Sequence, residues 1–330
     1  MQIKIGDREL NSRLMLAPMA GITDTVLRQI TRKASPDCLL VTEMLSSEAL
    51  VINPKAQILS STEFERPLAF QLSGHKPHIM AKAAKIVEDK ADFIDINMGC
   101  PVKKVVCGGD GSALMKIPEL AADIVKAVKD TVSKPVTVKF RLGWTNDSKN
   151  FVEFGKLMES AGADAITLHA RTRSQMYSDK ADWKEISKLV KEVKIPVYAN
   201  GDITSIESAI ECLKLSQAQG LAIGRGALGN PYLFNQLEHY FKTGEILPEQ
   251  SLTQKIETLK FHLNEEIKHR GEENGIKFFR KFYPYYIRSF RGGSVYRGKL
   301  VTETDYDKII KLLDEIADYD KEVLHISHTN

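Results

Sequence analysis

The sequence predicts an α/β protein, a (β/α)8 TIM barrel followed by a C-terminal all-helical domain. Short apolar runs recur eight times before residue 230, and each is followed by a loop rich in Gly, Pro or Asn and then by an amphipathic segment. Most of these runs are continuous, as expected for parallel strands that are buried on both faces. Beyond residue 230 only helical periodicity remains. A doubly wound open sheet, the alternative, would need fewer strands and usually an early glycine fingerprint, which this chain lacks.

The eight apolar runs give the predicted strands in chain order. They are Leu14–Ala17, Leu39–Thr42, Leu68–Leu72, Phe93–Ile96, Val136–Phe140, Ala165–Leu168, Pro196–Ala199 and Leu221–Ile223. Between them, apolar residues three and four positions apart predict helices, with Pro77 and Pro118 in first turns, where a missing N–H costs nothing. These helices include His78–Glu88, Leu120–Thr131, Phe151–Ser160, Trp183–Val193 and Ile206–Lys214.

The change of pattern divides the chain into a barrel domain over residues 1–242, a linker over 243–251 and a helical domain over 252–330. The linker contains Gly244 and Pro248, which disfavour helix. The predicted helices of this half are Pro231–Tyr240, Leu252–Arg270, Gly275–Phe290 and Thr304–Leu324, with a glycine-rich loop at Arg291–Lys299.

Length and composition exclude several classes of protein. The chain has 330 residues, of which 43% are hydrophobic and 27% charged, with a formal net charge of +3. A core of this size needs no disulfide or metal, and the four cysteines fit neither a zinc knuckle nor a CxxC redox motif. No apolar stretch approaches the roughly 20 residues of a membrane span, and the N-terminus lacks a signal-peptide core. We therefore expect a soluble cytoplasmic protein.

The ends of the predicted strands carry polar or glycine-bearing groups, which predicts an active site. In TIM barrels the active site is built at the C-terminal ends of the strands, and a purely structural barrel has no need of eight such endings. The endings are Ala17–Gly21, Glu43–Met44, Gln71, Asn97–Pro101, Lys139–Arg141, His169–Arg171, Asn200–Asp202 and Gly224–Gly226.

The last two endings predict a phosphate site. Loops after the seventh and eighth strands of such barrels commonly bind phosphate. Asn200, Gly201 and Asp202 follow the seventh strand, and Gly224 and Arg225 follow the eighth. Glycine lets backbone N–H groups approach an anion, and an arginine adds a charge-assisted contact. The alternative is that these glycines only make tight turns.

Three single side chains are candidates for cofactor contacts. Lys139 suits the electron-rich edge of a flavin ring, which gains negative charge on reduction, although a strand-end lysine can also extend to solvent. Gln71 can hydrogen-bond the edge of a heterocycle. His169 has no serine and acid beside it to form a triad, so it is a phosphate or cofactor ligand or a structural residue.

Cys100 is the candidate catalytic thiol. It lies in a Gly-Cys-Pro turn directly after the fourth strand, where a thiol can act as a general acid or nucleophile. A small buried apolar residue is the alternative. Cys107 is a nearby competitor, whereas Cys38 and Cys212 are predicted core. Gly108–Ser112 lacks Walker spacing, so we predict a mobile active-site loop rather than a nucleotide loop.

Taken together, these motifs resemble the bacterial tRNA-dihydrouridine synthases, in particular the B-type subgroup. The resemblance spans about residues 10–240 and extends more weakly into 275–291. The Met-Gly-Cys-Pro order is highly specific to that family. The matching segments are APMAGITD (17–24), DINMGCPVKKV (95–105), GSALM (111–115), VTVKFRLGW (136–144), ITLHARTR (166–173), ANGDI (199–203) and IGRGALGNP (223–231).

The resemblance implies a bound FMN, NADPH as a transient reductant and tRNA as the substrate, in which the C5–C6 bond of a D-loop uridine is reduced. It implies hydride transfer from FMN N5 to C6 and a proton from Cys100 to C5. Asn97 and Arg141 match residues that hold the uracil, and Arg171 is a further substrate-binding candidate. The implied FMN contacts are Pro18, Met19, Ala20, Gln71, Lys139, His169, Asn200, Gly201, Asp202, Gly224 and Arg225.

A basic segment in the helical domain predicts RNA contact. Residues 268–299 carry nine Lys or Arg against two Glu, whereas residues 300–330 carry three against eight acids. Basic residues can neutralise phosphates and a few aromatics can stack on bases, although most aromatics at this spacing are expected core and the charges alone could form a solvated face. The candidate tRNA contacts are Lys277, Arg280, Lys281 and Arg288. We expect a monomer without an obligate protein partner, without membrane contact and without a metal site.

Two other functions remain open from the sequence. An FMN-dependent TIM-barrel oxidoreductase acting on a free pyrimidine or small enone would share the strand ends but gives the basic helices no role. A barrel that has lost FMN and only binds RNA is the second. RNA binding with a steep salt dependence argues against the first, and yellow colour in the purified protein argues against the second.

Overall fold

The computed structural model describes residues 2–55, 59–288 and 292–328, with side chains up to residue 319. Contacts group the chain into two compact units, Met1–Gly226 and Ala227–Asn330. This boundary lies before residue 242, where the sequence placed the end of the barrel domain. The helix of residues 232–243 therefore groups with the helices that follow it.

Eight parallel strands form a closed barrel in the first unit, which confirms the predicted fold class. Neighbouring strands pair in chain order, the last barrel strand pairs with the first, and a short two-residue strand extends the second. Each predicted strand overlaps an observed one. The strands are β1 (Ile3–Ile5), β2 (Arg8–Leu10), β3 (Leu14–Leu16), β4 (Leu39–Val41), β5 (Leu45–Ser46), β6 (Leu68–Ser73), β7 (Phe93–Met98), β8 (Val136–Arg141), β9 (Ala165–His169), β10 (Val197–Asn200) and β11 (Gly220–Ile223).

The helices of the first unit follow the barrel strands, and their first turns explain where they begin. Pro77 and Pro118 occupy first turns as predicted, and the Asp24 carboxylate accepts from the N–H of Leu27 at 3.1 Å to cap the first helix. The helices are α1 (Thr25–Ala34), α2 (Ser47–Ile52), α3 (Pro77–Val87), α4 (Lys103–Cys107), α5 (Pro118–Lys129), α6 (Phe151–Ser160), α7 (Trp183–Val190) and α8 (Ile206–Ser216).

The barrel interior is apolar at the N-terminal ends of the strands. Met15, Phe93 and Tyr198 are among the buried side chains of this cluster, and the hairpin of β1 and β2 adds Ile3 and Ile5 to it. This hairpin lies before the first predicted strand and was not predicted from the sequence. Because the N-terminal end is filled by hydrocarbon, polar inward-facing residues are confined to the opposite end of the barrel.

The second unit is helical, as predicted. Its helices are α9 (Tyr232–Thr243), α10 (Leu252–Arg270), α11 (Glu272–Phe279), α12 (Tyr283–Tyr286), α13 (Gly293–Thr302) and α14 (Tyr306–His328). Gly244, with a φ of +78°, ends α9. The predicted linker begins at the last residue of α9, Thr243, and its other residues, 244–251, form no helix or strand. No helix among the described residues is long and apolar enough to cross a membrane.

Two predictions for this unit are wrong. The single helix expected over residues 275–290 is divided into α11 and α12, because Pro284 lacks an N–H and can only occupy a first turn, here that of α12. The loop expected at 291–299 is largely helix α13, which begins after Gly292 at a φ of +92° and buries Leu300. Glycines there permit a tight entry turn rather than excluding helix. Residues 289–291, including Phe290 and Arg291, lie outside the described residues.

Candidate active site

The inward-facing positions of neighbouring strands change from apolar to polar towards their carboxyl ends. Parallel register places Gln71 of β6 beside Asp95 of β7, and Asp95 beside Thr137 of β8. Two residues further on, Asn97 lies beside Lys139. Since alternate residues of a strand share a face, these side chains form two successive polar layers inside the barrel.

Four of these side chains form one continuous buried hydrogen-bonded chain. Asp95 accepts from the Thr137 hydroxyl at 2.5 Å and from the Gln71 amide nitrogen at 2.6 Å. Gln71 Oε1 in turn accepts from Asn97 Nδ2 at 2.8 Å. All four residues are buried, so these hydrogen bonds replace the contacts with water that burial removes. We call Thr137, Asp95, Gln71 and Asn97 the amide relay.

The amide relay ends at the turn that carries Cys100. Asn97 Oδ1 accepts from the backbone N–H of Gly99 at 3.2 Å and from that of Cys100 at 2.9 Å. The Cys100 carbonyl accepts from both the N–H and the hydroxyl of Ser112, at 3.1 and 2.9 Å. A half-buried thiol is thus held on a turn with its backbone bonded on both sides. Cys107 is exposed, and Cys38 and Cys212 are buried as predicted.

The glycine-rich segment after α4 requires glycine at position 111. The φ of Gly111 is +60°, and an added Cβ would lie 2.8 Å from the Cys100 carbonyl oxygen. The segment therefore packs against the cysteine turn. Asp110 beside it contacts the His75 ring at 2.7 Å.

Lys139 is a half-buried cation with a neutral partner. Its Nζ donates to Asn200 Oδ1 at 3.0 Å. Burial, and secondly the charge of Arg141, lower the pKa of Lys139 to about 8, against the opposing effects of Asp95 and Cys100. The positive charge of a lysine in this position would stabilise an anionic ligand that enters the mouth.

His169 is neutral in this setting. Burial first, then the charges of Arg141, Lys139 and Arg171, hold its pKa well below the usual range. Arg171 Nη1 lies 3.4 Å from His169 Nε2, which fits a ring that accepts at Nε2 because a guanidinium can only donate.

Arg141 and Arg171, predicted to bind substrate, are each only 2% exposed and donate largely to backbone carbonyls. Arg141 donates to the carbonyls of Gly99, Thr172 and Met176. Arg171 donates to the carbonyls of Ser178 and Asp179. Both arginines thereby hold the loop that connects β9 to α7.

That loop contributes a residue that sequence reasoning missed. Tyr177 is 50% exposed, and its ring centre lies 5.5 Å from the Arg141 guanidinium, 5.1 Å from that of Arg225 and 6.4 Å from the His169 ring. It lies eight residues beyond the end of β9 and carries no motif of its own. An exposed aromatic residue between two polar strand ends was the available signal.

The two predicted phosphate loops lie together. A Cβ on Gly226 would come within 2.1 Å of the Ile203 carbonyl oxygen, so only glycine permits the approach. A Cβ on Gly224 would meet nothing closer than 3.6 Å. The backbone N–H groups of Gly201, Gly224 and Arg225 have no acceptor among the described residues. This set of free donors suits an anion.

Asp202 occupies an unexpected position for a phosphate ligand. Its carboxylate accepts from Arg171 Nη2 at 2.6 Å, from the Ala181 N–H at 2.8 Å and from Arg225 Nη2 at 3.3 Å. A carboxylate repels phosphate, so its described contacts indicate that it positions the two arginines. In the turn after β3, Ala20 is exposed, whereas Pro18 and Met19 are half-buried. Met19 lies beside Gly224, since its Sδ would be 3.6 Å from a Cβ there, and its carbonyl accepts from the N–H of Thr23.

The predicted tRNA-contact residues of the second unit differ in their partners. Lys277 forms an ion pair with Glu273, and Arg280 donates to the Glu303 carbonyl at 3.4 Å. Lys281 Nζ lies 3.2 Å from the centre of the Phe278 ring, and Arg288 lies 4.8 Å from that of Tyr285. Most aromatic residues of this basic segment were expected to belong to the core. Accordingly, the side chains of Phe279, Phe282, Tyr283 and Tyr286 are buried.

Known proteins and a protein-family model match this chain over most of its length. A family model described as dihydrouridine synthase (Dus) matches residues 15–321. A probable tRNA-dihydrouridine synthase of Rickettsia conorii is 41% identical over 300 residues, which is 90% of both chains. The tRNA-dihydrouridine synthase B of Pseudomonas aeruginosa is 39% identical over 309 residues, which is 92% of both chains.

Solved structures support the barrel fold. An old yellow enzyme homologue from Zymomonas mobilis superposes with a TM-score of 0.50 at 14% identity, covering 78% of this chain and 94% of that one. A 2-naphthoyl-CoA reductase superposes with a TM-score of 0.56 at 11% identity, covering 73% of this chain and 51% of that one. At such identities the likeness concerns the fold alone.

Proposed function

The chain belongs to the dihydrouridine synthase family, and from this membership we propose that it reduces a uridine of tRNA to dihydrouridine as a flavin-dependent enzyme. The observation that carries the proposal is the arrangement at the barrel mouth. A half-buried thiol, Cys100, and a half-buried cation, Lys139, lie on adjacent strand ends.

The residues at the mouth fit FMN. A half-buried lysine whose described hydrogen-bond partner is a neutral amide suits the ring edge that becomes negative on reduction. The N–H groups of Gly201, Gly224 and Arg225, which have no acceptor among the described residues, suit the phosphate. FMN would be held by Pro18, Met19, Ala20, Gln71, Lys139, His169, Asn200, Gly201, Gly224 and Arg225, while Asp202 orients Arg225.

When bound, FMN supplies the hydride that is added to C6 of the uracil, with NADPH as the proposed source of electrons. The chain itself supplies the proton. Cys100 Sγ is a general acid held by the Asn97 side chain and by Ser112, and it delivers its proton to C5. Asn97 has a second N–H with no partner among the described residues, and this N–H orients the uracil.

The uridine must leave its stack to reach a barrel mouth, as in other enzymes that modify bases. Four basic side chains are proposed to bind the tRNA backbone: Lys277 in α11, Arg280 and Lys281 in the turn after it, and Arg288 just beyond α12. Arg288 lies over the Tyr285 ring, a contact that leaves its positive charge for a phosphate, and Lys281 lies over the Phe278 ring.

The test is reduction of unmodified tRNA by the purified full-length chain with NADPH, followed by position-specific mapping of dihydrouridine. Uridine monophosphate and a small enone serve as parallel substrates, and NADH as a parallel reductant. Dihydrouridine in the D-loop without reduction of the small substrates supports the proposal. Two results would contradict it. One is reduction of the small substrates but not of tRNA, and the other is reduction of no tested substrate by protein that has bound flavin.

The same question can be asked in cells. Deleting the gene should remove dihydrouridine from a D-loop position, and the wild-type chain should restore it, whereas the Cys100→Ala variant should not. An unchanged modification pattern in a strain with no second synthase would reject tRNA as the substrate.

A further inference from the structure

We propose that Asp95 is the positioning residue of this site, because its carboxylate fixes the direction of the amide relay and thereby holds Asn97 and the Cys100 turn in working orientation. The inference rests on the proposed function only in assigning a use to that turn. The orientation itself is a property of the chain.

The two ends of the amide relay determine its direction independently. A carboxylate only accepts, so Gln71 must turn its NH2 group towards Asp95 and its oxygen towards Asn97. At the other end, the backbone N–H groups of Gly99 and Cys100 only donate, so Asn97 must turn its oxygen towards them. Both requirements give the same orientation of both amides.

Either amide turned over would create a buried clash. If Gln71 were reversed, its oxygen would face the Asp95 carboxylate and its NH2 group would face that of Asn97. If Asn97 were reversed, its NH2 group would face two backbone N–H groups. An unmade hydrogen bond in a buried site costs enough to suppress such an arrangement about tenfold or more.

One consequence concerns what the site offers a ligand. With this direction fixed, Gln71 and Asn97 each keep one amide N–H that has no partner among the described residues. Both therefore present donors rather than acceptors. A carbonyl-rich heterocycle such as uracil or a flavin is the complementary ligand class.

Burial raises the pKa of Asp95 to about 6, while hydrogen bonds from Thr137 and Gln71 and the charge of Lys139 oppose the rise. At neutral pH the group is therefore ionised and can only accept. The strand register places Asp95 between Gln71 on one side and Thr137 on the other, so its carboxylate can accept from both side chains.

The experiment measures backbone hydrogen exchange at Gly99 and Cys100 in the full chain at pH 7. Asp95→Leu, of similar size but without an acceptor, should speed exchange at both amides by about tenfold. Asp95→Asn should be intermediate, because its amide can turn either face to Gln71. The double variant Asp95→Asn/Gln71→Glu should restore slow exchange, since the carboxylate introduced at position 71 accepts from the amide introduced at position 95 and from Asn97.

Asp92→Leu is the matched control. Asp92 is a buried acid just before β7 that accepts from Arg66 and the Leu68 N–H, so its loss destabilises the same strand at the other end. It should leave exchange at Gly99 and Cys100 unchanged relative to neighbouring amides. The proposal is overturned if Asp95→Leu exchanges like wild type, if the double variant stays as fast as Asp95→Leu, or if Asp92→Leu has the same effect.

A second readout separates this proposal from the proposed function. The Asp95→Leu variant should also lose about tenfold in kcat for tRNA. If the wild-type chain reduces no tRNA, the proposed function fails, and the exchange data still decide the role of Asp95.

Discussion

Lys139 donates to the side-chain oxygen of Asn200 at 3.0 Å across the barrel mouth, and no carboxylate among the described residues forms an ion pair with it. The two residues come from strands that are not neighbours, β8 and β10. The bond satisfies one proton of the ammonium group but leaves its charge for a ligand.

Replacing Lys139 with Met should abolish retention of flavin while making the ligand-free chain more stable. The pKa of Lys139, lowered to about 8, means that folding disfavours the charged form. The unfolded chain binds more protons between about pH 8 and pH 10.4, so wild-type stability should rise across this window by on the order of 3 kcal/mol, and the variant should lack that rise. Flavin absorbance and unfolding midpoints measure both effects. Parallel pH profiles for the two proteins would contradict the assignment.

Cys100 and Cys107 offer a matched pair of thiols. Cys100→Ala should lower kcat for tRNA by about 100-fold or more, because a general acid contributes roughly that much, while flavin content stays unchanged. Cys107→Ala, at an exposed thiol at the end of α4, should behave like wild type. Equal losses in both variants would remove Cys100 from the acid role.

Asp95 should make stability fall as pH rises from about 4 to 6. Its raised pKa means that the folded chain binds more protons than the unfolded chain in this window. Relative to Asp95→Asn, the wild-type free energy of unfolding should drop by on the order of 3 kcal/mol across it. Chemical denaturation at several pH values measures this. A constant difference between the two proteins would show that Asp95 titrates near its ordinary value.

Glu65 should be a strong determinant of barrel stability. It is fully buried and accepts from Arg28 Nε at 2.6 Å and from the Thr25 hydroxyl at 2.6 Å. Glu65→Gln leaves the Arg28 charge buried without its counter-ion, at an expected loss of about 3–5 kcal/mol in unfolding free energy. Asp130→Asn, which breaks the exposed pair with Lys126, should cost less than about 1 kcal/mol. Similar losses for the two variants would argue against this account.

Arg288 should contribute one phosphate contact. It is exposed, and its described partners are the Tyr285 ring and the Pro284 carbonyl rather than an acid. Arg288→Gln should weaken tRNA binding and reduce the slope of log affinity against log salt by about 1. Lys311→Gln, in the acidic helix α14, is the control and should leave the slope unchanged. An unaltered slope for Arg288→Gln would exclude it from the interface.

The barrel was predictable because continuous apolar runs at regular spacing leave few other folds. Strand ends such as Gln71, Asn97, Lys139 and His169 were identifiable for the same reason, since one rule places the ends of all parallel strands at one mouth. The break of the helix at Pro284 was also present in the sequence. Helix α13 was not, because glycine content alone does not distinguish a loop from a helix entered through a turn.

Local sequence patterns therefore specify which residues reach the mouth. Their pairing depends on how the strands are assembled into the barrel. Asp95 and Gln71 are 24 positions apart along the chain, and their bond follows from strand register, which no local pattern specifies. Arg141 and Arg171 likewise have motif positions that suggest ligand contact, yet most of their donors hold a loop. Local propensity selects the strands, and closure of the barrel selects the partners.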